Sequence, residues 1–164
     1  MEGLMNTLIS KTPSAPAVTI RELQSSDADS LLAIQTQSPE ASQWQKKDYE
    51  SLGRGNSRGW VAQVESGLTG FLVARLIADE VEILNLAVDP AMRRRGIGKS
   101  LLNEAIAWAG QNGAARAYLE VRQRNQGALE FYKARGFRPI GMRPNYYFNP
   151  PDDAILLAAS VSRR

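Results

Sequence analysis

Residues 82–110 place a buried strand, a glycine-rich turn and a helix in direct succession, and this order constrains the fold more than any other stretch of the chain. The short apolar run Ile83–Val88 is typical of a strand that is buried on both faces. Asp89-Pro90 ends this strand, because proline has no N–H to donate to a sheet. From Lys99 onward, apolar residues recur at helical spacing, which predicts a helix. A helix N-terminus is therefore expected close to the end of a buried strand.

The connecting turn combines two glycines with four cationic side chains. It reads Arg93-Arg94-Arg95-Gly96-Ile97-Gly98-Lys99. Glycines expose the backbone, and the first N–H groups of the following helix have no partner within the helix, at the end where the helix dipole is positive. The combination favours a phosphorylated ligand. The alternative is that the glycines serve only the geometry of the corner between strand and helix.

Two better-known phosphate motifs do not fit this turn. In the phosphate loop G-x-x-x-x-G-K-[ST], the glycines lie farther apart than Gly96 and Gly98 do. The dinucleotide fingerprint needs a third glycine and opens a βαβ unit, whereas this strand falls in the middle of the chain.

The absence of histidine and cysteine narrows the chemistry open to the 164-residue chain. It excludes a disulfide framework, a cysteine nucleophile, a serine–histidine pair and most zinc sites, so that we expect no metal. Acid–base chemistry is left to Asp, Glu, Lys, Tyr or the termini. The net charge of +3 is modest, but the isoelectric point near 9.4 suits an anionic ligand or a basic surface. Since no membrane-spanning run and no secretory signal are recognisable, we expect a cytoplasmic protein without a membrane partner.

Hydrophobic periodicity and turn residues predict a mixed α/β fold with the element order β-αα-βββ-α-β-α-ββ. The length fits a single domain, residues 18–164, preceded by a flexible tail over residues 1–17 that is rich in Ser, Thr and Pro. A turn at Ser66-Gly67 indicates an antiparallel meander. The predicted strands are 18–23, 60–65, 69–78, 80–88, 115–121, 137–142 and 154–161, and the predicted helices are 25–36, 42–52, 99–112 and 125–135.

The turn Arg93-x-x-Gly96-x-Gly98, placed after L-A-V-D-P, resembles the acetyl-CoA signature of the GNAT N-acetyltransferases. Two further motifs follow in the order typical of that superfamily, Y-L-E-V-R-x-x-N from Tyr118 and A-L-E-F-Y-K-A-R-G-F from Ala128. With the R-P-N-Y-Y stretch at Arg143, they are similar to the RimI subfamily, the ribosomal-protein-alanine N-acetyltransferases. The resemblance spans residues 18–161 and implies the GNAT acyl-CoA N-acyltransferase fold, an α/β fold whose central sheet is splayed to hold acetyl-CoA.

The resemblance assigns acetyl-CoA to two backbone surfaces. It implies that the strand residues Leu86, Ala87 and Val88 bind the pantetheine by amide hydrogen bonds, as a neighbouring strand would. The pyrophosphate is then held by the turn, through Arg93, Arg94, Arg95, Gly96, Ile97, Gly98 and Lys99. Asn125 is implied to contact CoA as well, although a helix cap explains the same residue.

Glu120 and Tyr132 are the catalytic residues that the resemblance implies. An α-amine has a pKa of about 7.7–8.0, against about 10.4 for lysine, so that a carboxylate such as Glu120 can serve as its general base. Tyr132 is implied to meet the CoA sulfur, where a phenol of pKa about 10 can donate a proton to a thiolate of pKa about 8.5. The structural alternatives are an outward-facing strand glutamate and a tyrosine packed on a helix face.

Four residues are expected to contact the acceptor, namely Trp44, Asn85, Tyr146 and Tyr147. Trp44 and Gln45 stand where RimI relatives carry Pro-Trp-Ser, and the proline and serine are missing here. The resemblance implies direct acetylation, in a ternary complex, of the N-terminal alanine of a small-subunit ribosomal protein. Other N-termini, a lysine or a small amine stay open as acceptors, as does a non-catalytic module that binds CoA, the ribosome or RNA. We expect no requirement for nucleic acid, and a monomer or weak dimer.

Overall fold

The computed structural model describes residues 14–162, so that most of the predicted tail, residues 1–17, lies outside the described residues. The elements follow the predicted order, which confirms the mixed α/β class. None of the helices within the described range is long and apolar enough to cross a membrane. The strands are β1 (Thr19–Glu22), β2 (Ser57–Val64), β3 (Gly67–Ile77), β4 (Glu80–Val88), β5 (Arg116–Arg122), β6 (Arg138–Phe148) and β7 (Pro151–Ser160), and the helices are α1 (Ala28–Thr36), α2 (Lys46–Glu50), α3 (Ile97–Gln111) and α4 (Gln126–Lys133).

The strands form one seven-stranded sheet in the order β1-β2-β3-β4-β5-β7-β6. The first four strands run antiparallel to their neighbours, and the predicted meander is part of them. β4 and β5 are parallel, because α3 crosses over between them. β7 then lies antiparallel between β5 and β6. The last hairpin of the chain therefore forms one end of the sheet, with β7 next to β5 and β6 at the edge.

β4 and β5 separate after only three paired positions. Their ladder ends at the Glu82–Tyr118 pair, although both strands continue for several residues. A bulge at Leu84 interrupts the register of β4 with β3 at the same place. The central sheet is thus splayed as expected, and a space opens between the carboxyl-terminal halves of the two strands.

The bulge also redirects the side chains of β4. Before it, Val81 and Ile83 belong to the core that packs under α3. After it, Ala87 belongs to the core under α1 and α2, and the Asn85 amide meets the Tyr49 hydroxyl of that core at 3.2 Å. Because strand side chains alternate with a period of two, one extra residue exchanges the faces. This explains how an asparagine is accommodated in an otherwise apolar strand.

Two helices begin later than predicted. The predicted helix 42–52 was wrong at both ends, because α2 begins at Lys46 and ends at Glu50. At its start, the Asp48 carboxylate accepts a hydrogen bond from the Gln45 N–H at 2.8 Å. The 25–36 helix starts as a 3₁₀ turn and becomes α-helical at Ala28. No serine caps that turn, since its N-terminal flanking residue is a glutamine.

β6 runs to Phe148, whereas the predicted strand ended at Met142. A shift in its register with β7, between Arg143 and Tyr147, allows the strand to pass Pro144 and Asn145, which has a φ of 51°. Such irregular positions hide the alternation on which strand prediction depends. The consequence for function is that the N-Y-Y tyrosines lie within a strand of the sheet.

Candidate active site

A cavity of about 360 Å³ lies where β4 and β5 separate. Its walls come from both splayed strands, α4, the β6–β7 hairpin and the loop between α1 and α2, which we call the 37–45 loop. Of the site residues predicted from the sequence, the cavity brings together Asn85, Leu86, Glu120, Asn125, Tyr132 and Tyr147. The splayed sheet thus gathers residues from four separate elements.

The Glu120 carboxylate lines this cavity from β5, and its side chain is only 16 % exposed. Its Oε1 lies 3.0 Å from the Nε of Arg143, which belongs to β6 on the far side of β7. The Tyr146 hydroxyl lies beside the same carboxylate, and its interaction with Glu120 raises the pKa of the tyrosine. Two side chains of β6 therefore orient the carboxylate on the cavity wall.

The adjacent tyrosines of β6 differ in their surroundings. Their rings meet edge to face at 5.1 Å. Tyr146 is half-exposed, whereas Tyr147 lines the cavity and carries the Arg122 guanidinium 4.2 Å from its ring centre. Burial, followed by the charge of Glu120, raises the pKa of Tyr147 to about 12. Both hydroxyls therefore remain protonated near neutral pH.

The Tyr132 ring is buried in the core and borders the cavity. Phe131 and Phe137 pack against it edge to face, at 5.0 and 5.3 Å between ring centres. Burial raises the pKa of the hydroxyl well above the usual tyrosine value, and Arg135 offsets this only in part. Within residues 14–162 no side chain accepts a hydrogen bond from this hydroxyl. Tyr132 is therefore a protonated donor without a side-chain partner in the described protein.

Asn125 caps α4, because its Oδ1 accepts a hydrogen bond from the Ala128 N–H at 3.1 Å. The residue also lines the cavity. Its amide NH₂ group is not needed for the cap and can serve a second partner. A cap and a ligand contact are therefore compatible at this position.

The cavity-facing edge of β4 has no strand partner in the described chain from Ile83 onward. Leu86 lies on this edge and lines the cavity. Backbone groups on a free edge can pair with an extended ligand. The carbonyl of Val88 differs, because it already accepts a hydrogen bond from Arg93 Nε at 3.0 Å.

The glycine-rich turn leads directly into α3. Gly96 precedes the helix in the left-handed conformation, with a φ of 79°, and no side chain within the described residues caps the helix. Gly98 has a different function, since a Cβ there would lie 3.3 Å from the Phe131 ring of α4. The turn and the cavity therefore share α4 and β4 as neighbours. All four cations of the turn, Arg93, Arg94, Arg95 and Lys99, are exposed.

Arg93 differs from the other cations of the turn, because its guanidinium contacts protein groups. Its Nη2 lies 3.1 Å from Ser38 Oγ and 2.6 Å from Glu40 Oε1. Both partners belong to the 37–45 loop. A pyrophosphate contact by Arg93 stays a prediction, and the structure adds a link between the turn and this loop.

Trp44 and Asn85, two of the predicted acceptor contacts, have partners within the protein. The Asn85 amide bonds the N–H and the C=O of Ser42, at 3.2 and 3.0 Å. The Trp44 ring packs on Tyr49 at 5.3 Å, and the residue is not part of the cavity lining. Contact of either residue with an acceptor stays a prediction.

The model of the Acetyltransferase (GNAT) family matches residues 20–137, which is most of the chain. The chain belongs to the GNAT acetyltransferase family. It is 30 % identical over 146 residues to the [ribosomal protein bS18]-alanine N-acetyltransferase of Escherichia coli strain K12, covering 88 % of this chain and 98 % of that protein. The crystal structure of the ribosomal-protein-S18-alanine N-acetyltransferase from Escherichia coli aligns with a TM-score of 0.79 at 28 % identity, over 90 % of this chain and 96 % of that one.

The GNAT fold is shared with more distant proteins as well. Arabidopsis thaliana NAA60, solved in complex with acetyl-CoA, aligns with a TM-score of 0.77 at 22 % identity, over 88 % of this chain and 99 % of that one. The resemblance read from the three sequence motifs is thus confirmed at the level of the family, and this GNAT protein is an acetyltransferase.

Two parts of this GNAT site were not predicted from the sequence. Arg143 was not assigned to Glu120, because β7 separates their strands and the strand order does not follow the chain. Its only local signal is its place at the head of the R-P-N-Y-Y stretch. The residues Pro39–Gln43 line the cavity from a loop whose only signal was the helix-breaking proline.

Proposed function

We propose that this protein transfers the acetyl group of acetyl-CoA to the N-terminal α-amine of a protein, and that its favoured acceptor is the N-terminal alanine of a small-subunit ribosomal protein. The observation that carries the proposal is the presence of Glu120 and Tyr132 on the walls of one cavity, beside the glycine-rich turn. The names of the Escherichia coli relatives support the choice of acceptor.

The residues around the cavity fit acetyl-CoA, which supplies an acetyl group activated as a thioester. The turn offers helix N–H groups that no side chain caps in the described chain, and the exposed cations Arg94, Arg95 and Lys99 complement a pyrophosphate. The free edge of β4 at Leu86 offers backbone groups to the pantetheine arm. The free amide NH₂ of Asn125 faces the same cavity.

Glu120 is proposed to take the proton of the acceptor ammonium, directly or through a water molecule. An α-ammonium, with a pKa of about 7.7–8.0, gives up this proton far more readily than a lysine side chain does. The carboxylate is already oriented by Arg143 and Tyr146. The incoming ammonium therefore competes with the Arg143 guanidinium for the same oxygen atoms.

Tyr132 is proposed to donate to the sulfur as the thiolate leaves. Its hydroxyl is protonated over the whole pH range in which an α-amine reacts, because burial raises its pKa. The same shift makes complete proton transfer more costly, so that hydrogen-bond donation is its main contribution. The chain has no cysteine that could carry the acetyl group, which favours direct attack in a ternary complex.

Replacing Tyr132 with phenylalanine is expected to slow acetyl transfer by about 100-fold, the lower end for general acid–base catalysis. The ring contacts with Phe131 and Phe137 are retained, so that the thermal midpoint should change little. Single-turnover kinetics with an alanine-initiated peptide measure the effect, and thermal unfolding controls for packing. A variant with wild-type single-turnover rates contradicts the role of the hydroxyl.

Mass spectrometry of peptides incubated with protein and acetyl-CoA tests the proposed function. The panel begins with Ala, Ser, Met or Gly, and each peptide is also prepared with a blocked N-terminus and one internal lysine. Acetylation restricted to free α-amines, with alanine preferred, is the expected result. Transfer only to lysine, or no transfer to any peptide despite bound acetyl-CoA, contradicts the proposal.

A further inference from the structure

The 37–45 loop forms one wall of the cavity. Its residues Pro39–Gln43 line the same space as Glu120. An acceptor amine bound at this carboxylate therefore shares the cavity with the loop. The position of the loop must accordingly influence how tightly an acceptor binds.

The loop is attached to the rest of the protein by side chains from two different places. The Asn85 amide on β4 bonds both backbone groups of Ser42, at 3.2 and 3.0 Å. The Arg93 guanidinium donates to Ser38 Oγ at 3.1 Å and to Glu40 Oε1 at 2.6 Å. The first attachment comes from the sheet, whereas the second comes from the turn that leads to α3.

Arg93 is positioned to transmit a change in the turn. It stands three residues before Gly96, and its Nε donates a hydrogen bond to the Val88 carbonyl at 3.0 Å. The Arg93 and Glu40 side chains are 42 % and 39 % exposed, so that water weakens their attraction. Ser38, by contrast, is fully buried. The contacts of Arg93 with Glu40 and Ser38 hold the loop only as long as the turn keeps the guanidinium in place.

We propose that Arg93 is a positioning residue that couples the two substrate sites. An anion bound at the turn fixes Arg93, and Arg93 fixes the 37–45 loop through Ser38 and Glu40 in the form that receives the acceptor. The inference rests on the proposed function, because it takes acetyl-CoA as that anion. It follows that the CoA-loaded protein binds an acceptor more tightly than the free protein does. By linkage, the acceptor increases the affinity for CoA by the same factor.

Isothermal titration calorimetry of an alanine-initiated peptide, with and without saturating CoA, measures this coupling. CoA is used because it carries no acetyl group and allows no turnover. The wild-type protein is expected to bind the peptide at least about five-fold more tightly when CoA is present, the lower end of typical allosteric coupling. In Glu40→Gln this factor should fall below about two-fold, while CoA alone binds with nearly wild-type affinity.

Three further variants separate coupling from direct contact. Ser38→Ala should reduce the factor in the same direction as Glu40→Gln. Adding Arg93→Gln to Glu40→Gln should remove the coupling that remains, because it also breaks the contact with Ser38. The matched control is Glu65→Gln, which removes an exposed carboxylate at the β2–β3 turn and should keep the wild-type factor.

Three results decide the matter. If Glu40→Gln lowers the affinity for the peptide equally with and without CoA, Glu40 merely contacts the acceptor, and the coupling role of Arg93 is refuted. If the wild-type protein binds CoA but shows no coupling, the inference is refuted while the proposed function stands. If the wild-type protein binds no CoA at all, the proposed function itself fails.

Discussion

Glu120→Gln is expected to lower kcat for peptide acetylation by about 10²–10⁴-fold near neutral pH, the range for a lost general base. The affinity for acetyl-CoA should stay nearly unchanged, because the glutamine has the same shape and the turn is untouched. The amide oxygen can still interact with the Arg143 and Tyr146 side chains, so that β6 keeps its place. Steady-state kinetics and calorimetry with acetyl-CoA measure the two quantities separately.

The pH dependence of this variant follows from the acceptor amine. Below its pKa of about 7.7–8.0 the amine is protonated, and a base must remove the proton before attack. Above that pKa most of the amine is already neutral, so that Glu120 contributes less. The ratio of wild-type to variant rates should therefore be largest on the acidic side and shrink as the pH rises above about 8.

Glu80→Gln is the matched control for this experiment. Glu80 begins the neighbouring strand β4, pairs with Arg116 at 3.6 Å and does not line the cavity. Its variant should keep the wild-type rate at every pH. If Glu120→Gln and Glu80→Gln behave alike, Glu120 is an ordinary strand glutamate, and another group of the cavity deprotonates the amine.

The local features of the fold could be predicted because they depend on neighbouring residues. The apolar run, the proline, the two glycines and the helical spacing after Lys99 give β4, the turn and α3 nearly to the residue. The positions of the glycines in the sequence do not show why each glycine is needed, however. Gly96 supplies a left-handed backbone, whereas Gly98 allows α3 to approach the Phe131 ring. The role of Gly98 depends on α4, a helix that comes about 30 residues later in the chain.

The surroundings of Asn85 and Glu120 could not be predicted, because they are built by contacts between distant segments. The hydrogen bonds between the Asn85 amide and the 37–45 loop, for example, depend on a bulge in β4. Arg143 reaches Glu120 only because β7 inserts between β5 and β6. Neither the bulge nor the strand order has a signal in hydrophobic periodicity. The sequence thus predicted catalytic candidates more fully than it predicted what orients them.

Gly98→Glu is expected to weaken acetyl-CoA binding by about 100-fold or more, which corresponds to about 2.7 kcal/mol of binding free energy. The new carboxylate would stand in the first turn of α3, where free N–H groups and exposed cations favour an anion from the ligand. It would repel a pyrophosphate and compete with it for the same N–H groups. Isothermal titration calorimetry with acetyl-CoA measures the loss.

Gly98→Gln separates the charge from the volume of this substitution. A Cβ at residue 98 lies 3.3 Å from two Phe131 ring atoms, so that either side chain displaces the ring or turns toward the ligand, and both variants share this steric cost. The glutamate variant should therefore bind acetyl-CoA clearly more weakly than the glutamine variant, and the gap should narrow in high salt. Thermal unfolding shows whether both variants remain folded. Equal affinities for the two folded variants would mean that no anion is bound at the turn, and the phosphate-binding role of residues 93–99 would have to be abandoned.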